Sequence, residues 1–127
     1  MMYNKVRALL LATFAVTGLA VVSAPAAHAA TYTQVGYASS FGRQVYLWRN
    51  NDNGCIHAQG KSMRIGDEVI LQVVSGGMLI DDDVQRANAT GVSVNTQSLC
   101  NKGGAGFRGL VKDANANGPQ TGTYQNW

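Results

Sequence analysis

Few side chains in this 127-residue sequence can do chemistry. A hydrolytic triad needs a base beside a nucleophile, and downstream of His28 the only histidine is His57. It stands between Ile56 and Ala58 in a run that reads as a strand, which predicts a hydrogen-bonded structural role rather than catalysis. Asp67 and Glu68 supply carboxylates of the kind glycoside hydrolysis uses, but nothing in the spacing sets two of them across a cleft. The run Asp81-Asp82-Asp83 clusters oxygen ligands, yet lacks the interleaved spacing and the glycine of a calcium loop, and reads as a solvated acidic turn. Cys55 and Cys100 with one nearby histidine are too few for a metal centre. The expectation is a chain without cofactor, metal or catalytic residues. A small hydrolase is the alternative, with His57 beside Asp67 or another acid in a cleft as its requirement.

Aromatic residues are the better lead. Tyr32, Tyr37, Phe41, Tyr46, Trp48, Phe107, Tyr124 and Trp127 are many for so small a domain, and some must be exposed. Exposed Trp and Tyr stack on sugars or anchor protein partners because their rings are rigid and amphipathic. Arg49 follows Trp48 directly, and Trp, Tyr and Arg dominate the energetics of interfaces. Tyr46, Trp48, Arg49, Asn51 and Trp127 are therefore the candidate binding residues.

The start of the chain bears on where these residues act. Lys5 and Arg7 precede an uncharged apolar run from Ala8 to Val22, which is short for a membrane span, and Pro25 precedes the small-residue site Ala27-His28-Ala29. This predicts a secretory signal peptide over residues 1–29, cleavage before Ala30, and one extracellular domain over 30–127 with no membrane association afterwards. Cleavage lowers the ten basic residues to eight against seven acids, a net charge of +1. The precursor's pI near 9.1 is thus a poor sign of a nucleic-acid partner, and the remaining basic residues never cluster. In an exported chain the even cysteine count predicts a Cys55–Cys100 disulfide.

The elements that must position these groups read as strands. Val45-Tyr46-Leu47-Trp48-Arg49 leads through the turn Asn50 to Gly54 into Cys55-Ile56-His57-Ala58-Gln59, a hairpin whose Asn and Gly suit left-handed backbone angles. Val45 and Leu47 share one face, while Gln44, Tyr46 and Trp48 share the other; both carry bulky groups, so the inner face stays open at this point. Glu68 to Val74 is the most apolar stretch and predicts a central strand, with Met78-Leu79-Ile80 as its hairpin partner. Gly91 to Asn95 and Phe107 to Lys112 alternate, Leu99-Cys100 extends a further strand, and Thr121 to Trp127 is either an edge strand or loose. A brief helix is conceivable over Val84 to Asn88. Asn88-Ala89-Thr90 satisfies the glycosylation sequon. The sum is an all-β fold, a small antiparallel sandwich or barrel of six to seven strands with one disulfide.

Two resemblances follow from these residues. A signal ending in an Ala-Pro-Ala-Ala-like stretch, Gly42-Arg43-x-Val45-x-Leu47, a turn into Cys55, and Gly66-Asp67-x-Val69 resemble the layout of small secreted actinomycete proteins. Trp48-Arg49 ahead of Asn53-Gly54-Cys55 is similar to tendamistat-type α-amylase inhibitors, secreted β-sandwiches that block the enzyme with a Trp-Arg-Tyr hairpin turn. Here Asn50 stands in place of that tyrosine, the turn is shorter, and one disulfide replaces two. The second resemblance implies inhibition of an extracellular enzyme. The sequence thus predicts a recognition protein whose partner is an extracellular protein, met by the Trp48 to Gly54 hairpin, or alternatively a polysaccharide, met by Tyr46, Trp48 and Trp127.

Overall fold

The computed structural model describes residues 29–100 and 103–125. Almost all of the expected signal peptide, and Trp127, lie outside these residues. Eight strands follow in order: β1 (Tyr32–Ser40), β2 (Arg43–Asn50), β3 (Ile56–Met63), β4 (Glu68–Ser75), β5 (Met78–Arg86), β6 (Val92–Asn95), β7 (Gly106–Lys112) and β8 (Tyr124–Gln125). They form two four-stranded sheets, ordered β1-β2-β3-β6 and β5-β4-β7-β8, and every pairing is antiparallel. The all-β sandwich expected from the sequence is the fold, with one strand more than the upper count.

Alternation decides which faces meet. Val45 and Leu47 of β2 and Ile56 and Ala58 of β3 are buried, and they pack on Val69, Leu71 and Val73 of β4 and Phe107 and Val111 of β7. The face that the sequence left undecided is therefore settled: Val45 and Leu47 point in, Tyr46 and Trp48 out. Gly109 on β7 marks a close approach of the sheets, since a Cβ there would lie 3.1 Å from Val45 and 3.2 Å from Leu47. Burying these side chains gains on the order of 25 cal/mol per Å² of apolar surface, the main drive for closing the sandwich.

The predicted β2–β3 hairpin is present, and its asparagines build the turn. The Asn50 side chain accepts from the Asp52 amide at 2.8 Å and that of Asn53 from the Cys55 amide at 2.9 Å, while Gly54 takes a φ of 75°. Cys55 and Cys100 are joined, as counting predicts, next to the bridge that pairs Ile56 with Leu99. The tail forms an edge strand, with Tyr124 opposite Phe107.

Two expectations fail, and one strand has no counterpart in the sequence reading. Tyr32–Ser40, unassigned from sequence, is a nine-residue strand. Asp81-Asp82-Asp83 is no turn: β5 runs straight through it, and it also occupies most of the segment expected to turn helical over Val84 to Asn88. Pairing with β4 explains this, because opposite Val73, Leu71 and Val69 stand Asp81, Asp83 and Gln85, at the open flank of the sandwich. There Asp83 accepts from the Gln97 amide at 2.8 Å and from the Gln85 side chain at 3.1 Å.

Candidate functional site

The outward face of the first sheet gathers most of the aromatic side chains. On β2, Tyr46 and Trp48 are two residues apart and so point the same way. Their rings stack with centroids 5.7 Å apart and planes only 10° from parallel. Tyr37 stands opposite Tyr46 across the β1–β2 ladder, and its ring lies 4.9 Å away at 58°. Lys61 of β3 places its ammonium 4.8 Å from the Tyr46 centroid, a cation–π contact. Tyr46 is thereby held by three neighbours.

Trp48 is held differently. Its indole N–H donates to Gln59 Oε1 at 3.0 Å, and Tyr46 covers one indole face. Beyond Trp48 lies a shallow concavity of about 350 Å³, lined by Tyr32, Trp48, His57, Gln59 and Asn95. Register places His57 opposite Trp48 and Gln59 opposite Asn95, so four neighbouring backbone positions on three strands form the floor. Tyr32 comes from the end of β1 and meets the His57 ring edge-on at 5.4 Å. Burial lowers the His57 pKa, so near neutral pH the imidazole is uncharged and can both donate and accept a hydrogen bond. The concavity is thus walled by two aromatic rings and floored by amides and a neutral imidazole, with no charged group among the residues that line it.

The other candidate residues go elsewhere. Arg49 follows Trp48 but leaves β2 on the opposite side, where its guanidinium donates to the Tyr124 hydroxyl and to Asn51 Oδ1, both at 3.3 Å. Asn51 Oδ1 also accepts from the Thr33 hydroxyl at 2.8 Å, and its amide nitrogen donates to the Thr31 hydroxyl at 3.2 Å, so this side chain ties the hairpin to the start of β1. The structure brings Tyr46 and Trp48 together, separates them from Arg49 and Asn51, and describes nothing of Trp127. Tyr32, Tyr37, His57, Gln59 and Asn95 join them instead. A sequence signal existed for His57 and Gln59, which share strand parity with each other across from Trp48 and Tyr46; none existed for Tyr32 and Tyr37 once β1 went unassigned.

A second concavity lies at the end of the sandwich where β1 turns into β2 and β3 into β4. Its floor is an ion pair: Arg43 Nε and one of its terminal nitrogens donate to the two Asp67 oxygens at 2.7 and 3.1 Å, and both side chains are buried. Asp67 also accepts from the Arg64 amide at 2.9 Å, and Arg43 donates to the Phe41 carbonyl at 2.8 Å. Burial alone would raise the Asp67 carboxyl, but the hydrogen bonds from Arg43 and the Arg64 amide outweigh it and hold it below the usual carboxylate range. These groups are engaged with one another, which makes them a clasp between two turns. Asp67 therefore lies apart from His57, and among the described residues no hydrogen bond joins His57 to an acid. No protein-family model, curated protein or solved structure matches this chain.

Proposed function

We propose that this chain is a secreted recognition domain without catalytic residues, and that the outward face of its first sheet binds polysaccharide. The observation behind this reading is the row of Tyr37, Tyr46 and Trp48, whose stacked end leaves the Trp48 indole beside the Tyr32, His57, Gln59 and Asn95 concavity. A pyranose presents apolar C–H groups on its faces and hydroxyls around its rim. An aromatic ring takes the former, and the amides of Gln59 and Asn95 with the neutral His57 take the latter. With no charge lining the concavity, the fitting ligand is a neutral sugar polymer.

The test is adsorption of the oxidised protein to washed cell walls and to insoluble neutral glycans such as cellulose and chitin, read by depletion from solution. Retention on at least one glycan is expected, with Trp48→Ala weakening it about tenfold or more. Adsorption to none, or full adsorption by the Trp48→Ala protein, would remove the reading.

A protein partner is the second reading, and one observation favours it. Met78, Leu79 and Ile80 sit on the β4–β5 hairpin with 69%, 50% and 52% of their surface exposed. That apolar tip is a better protein contact than the Trp48 to Gly54 turn, whose Trp48 and Arg49 diverge. Capture of a secreted enzyme that survives Trp48→Ala and is lost on Leu79→Ser would support it.

A further inference from the structure

We propose that β1 is the seam along which two copies of this chain pair, antiparallel across Gly36–Ser40, to make one continuous eight-stranded sheet. The inference starts from how the four sheet edges are guarded. An edge strand offers unpaired N–H and C=O groups, and stable monomers blunt it by shortness, inward charge or bulges. Strand β6 has four residues and β8 two. Strand β5 turns Asp81 and Asp83 toward the flank of the sandwich and carries a register shift between Val73 and Val74 on its partner. Strand β1 is nine residues long, Tyr-Thr-Gln-Val-Gly-Tyr-Ala-Ser-Ser, with no charge and no proline. Among the described residues it pairs only with β2. Its one blunting device is the bulge between Gln34 and Gly36, which leaves the five residues that follow regular.

A second copy is the occupant this edge fits. A strand without charge gives an unrelated partner no charge to read, while an antiparallel copy of itself meets no like charges. Two exposed rings belong to this stretch, one within it and one just past its end. Tyr37 is 46% exposed at the edge, and Phe41, 60% exposed, begins the two-residue turn into β2. Phe41 has a φ of 53°, a left-handed conformation that costs a bulky residue roughly 1–2 kcal/mol. The two-residue turn it shares with Gly42, whose φ is 73°, imposes that conformation, and the ring itself stays largely exposed. In the antiparallel pairing each Phe41 lies beside the bulge of the other copy, which gives the ring a surface to cover.

The two-fold axis of such a pairing stands perpendicular to the sheet, so both outward faces look the same way. The row Trp48, Tyr46, Tyr37 then continues across the seam into its twin. The pairing itself stands on the edge alone. Only its consequence, a doubled sugar-binding strip with avidity beyond that of one copy, rests on the proposed function.

Sedimentation velocity on the oxidised chain without residues 1–29, from about 10 µM to about 1 mM, tests the pairing, because a seam of this length suits a weak, concentration-dependent dimer. The mass is expected to climb toward twice that of the monomer. Ser39 is exposed on β1, and Ser39→Lys and Ser39→Glu each set like charges across the seam. Each variant alone should weaken self-association at least tenfold, and an equimolar mixture of the two should restore it. A wild-type chain that stays monomeric throughout, or variants that associate like wild type, would overturn the proposal. Glycan adsorption by the monomeric Ser39→Lys protein separates the two readings: its retention with wild-type monomer leaves sugar binding standing while the seam falls.

Discussion

Removing Asp67 should be the most damaging single polar substitution in the domain, and its size follows from the contacts. Asp67→Ala deletes two hydrogen bonds from Arg43 and one from the Arg64 amide, and leaves a guanidinium with 9% side-chain exposure whose remaining carboxylate influence is that of Asp113, with no hydrogen bond between them. Breaking a buried pair by removing one partner costs about 3–5 kcal/mol. The clasp floors an open concavity, so water can reach the abandoned guanidinium, which puts the expected loss at the lower end, about 3 kcal/mol. With a urea slope of about 1 kcal/mol per M for a domain of this size, the midpoint should fall by about 3 M. Urea unfolding of the oxidised protein followed by far-UV circular dichroism is the assay. Arg43→Met alone leaves the carboxylate stranded instead and should cost a similar amount. The double variant Arg43→Met/Asp67→Leu strands neither charge, and it should lie well above the sum of the single losses. Additive losses, or a fall below about 0.5 M for Asp67→Ala, would refute the account of the pair as a mutually dependent clasp.

Three further predictions concern pH, the crosslink and a tail glycine. Both His57 and Asp67 have folded pKa values below their unfolded ones, so each contributes stability above its unfolded pKa that is lost as pH falls. The melting temperature should therefore drop first below about pH 6.5, and more steeply below about pH 4; His57→Gln should remove the first step and Asp67→Asn the second. Reduction of Cys55–Cys100, which are 45 residues apart, should cost about 4 kcal/mol in the loop-closure account, read as a lower urea midpoint in dithiothreitol. Gly118 has a φ of 158°, and a Cβ there would lie 1.8 Å from the Val111 carbonyl oxygen; Gly118→Ala should cost more than about 2 kcal/mol, with the loss visible as rapid amide exchange at Val111, whose N–H donates to Pro119.

The legible parts of this molecule are the apolar and β-branched runs bounded by turn residues. The β2–β3 hairpin shows this, and so does Glu68 to Val74, where Val69, Leu71 and Val73 face the core and Ile70 is buried on the other face between its in-sheet neighbours Val84 and Leu110. Strand β1 was illegible because an edge strand buries little. Only Val35, Gly36, Ala38 and Ser40 are even partly covered, and the bulge at Val35 breaks the period of two. The acid triplet misled for the opposite reason, since three carboxylates resemble a turn until the open flank of a sandwich gives them solvent and an amide partner in Gln97. At the candidate site, Tyr46 and Trp48 followed from strand parity alone. Arg43 and Asp67 did not, because a pair 24 residues apart, one at the start of β2 and the other on the turn before β4, has no local pattern to announce it.

The locked packing of the aromatic row has a thermodynamic consequence. Tyr46 is fixed by Tyr37, Trp48 and Lys61, and Trp48 by Tyr46 and Gln59. Immobilising a rotamer-rich side chain on association costs about 0.5–1.5 kcal/mol, and here that ordering is completed when the chain folds. A ligand docking on this face meets rings that are already still, so its unfavourable entropy comes from its own freedom rather than from the protein's. Gln59→Ala releases the indole and also removes an amide from the concavity, so it would return that entropy to the binding step on top of the lost contact.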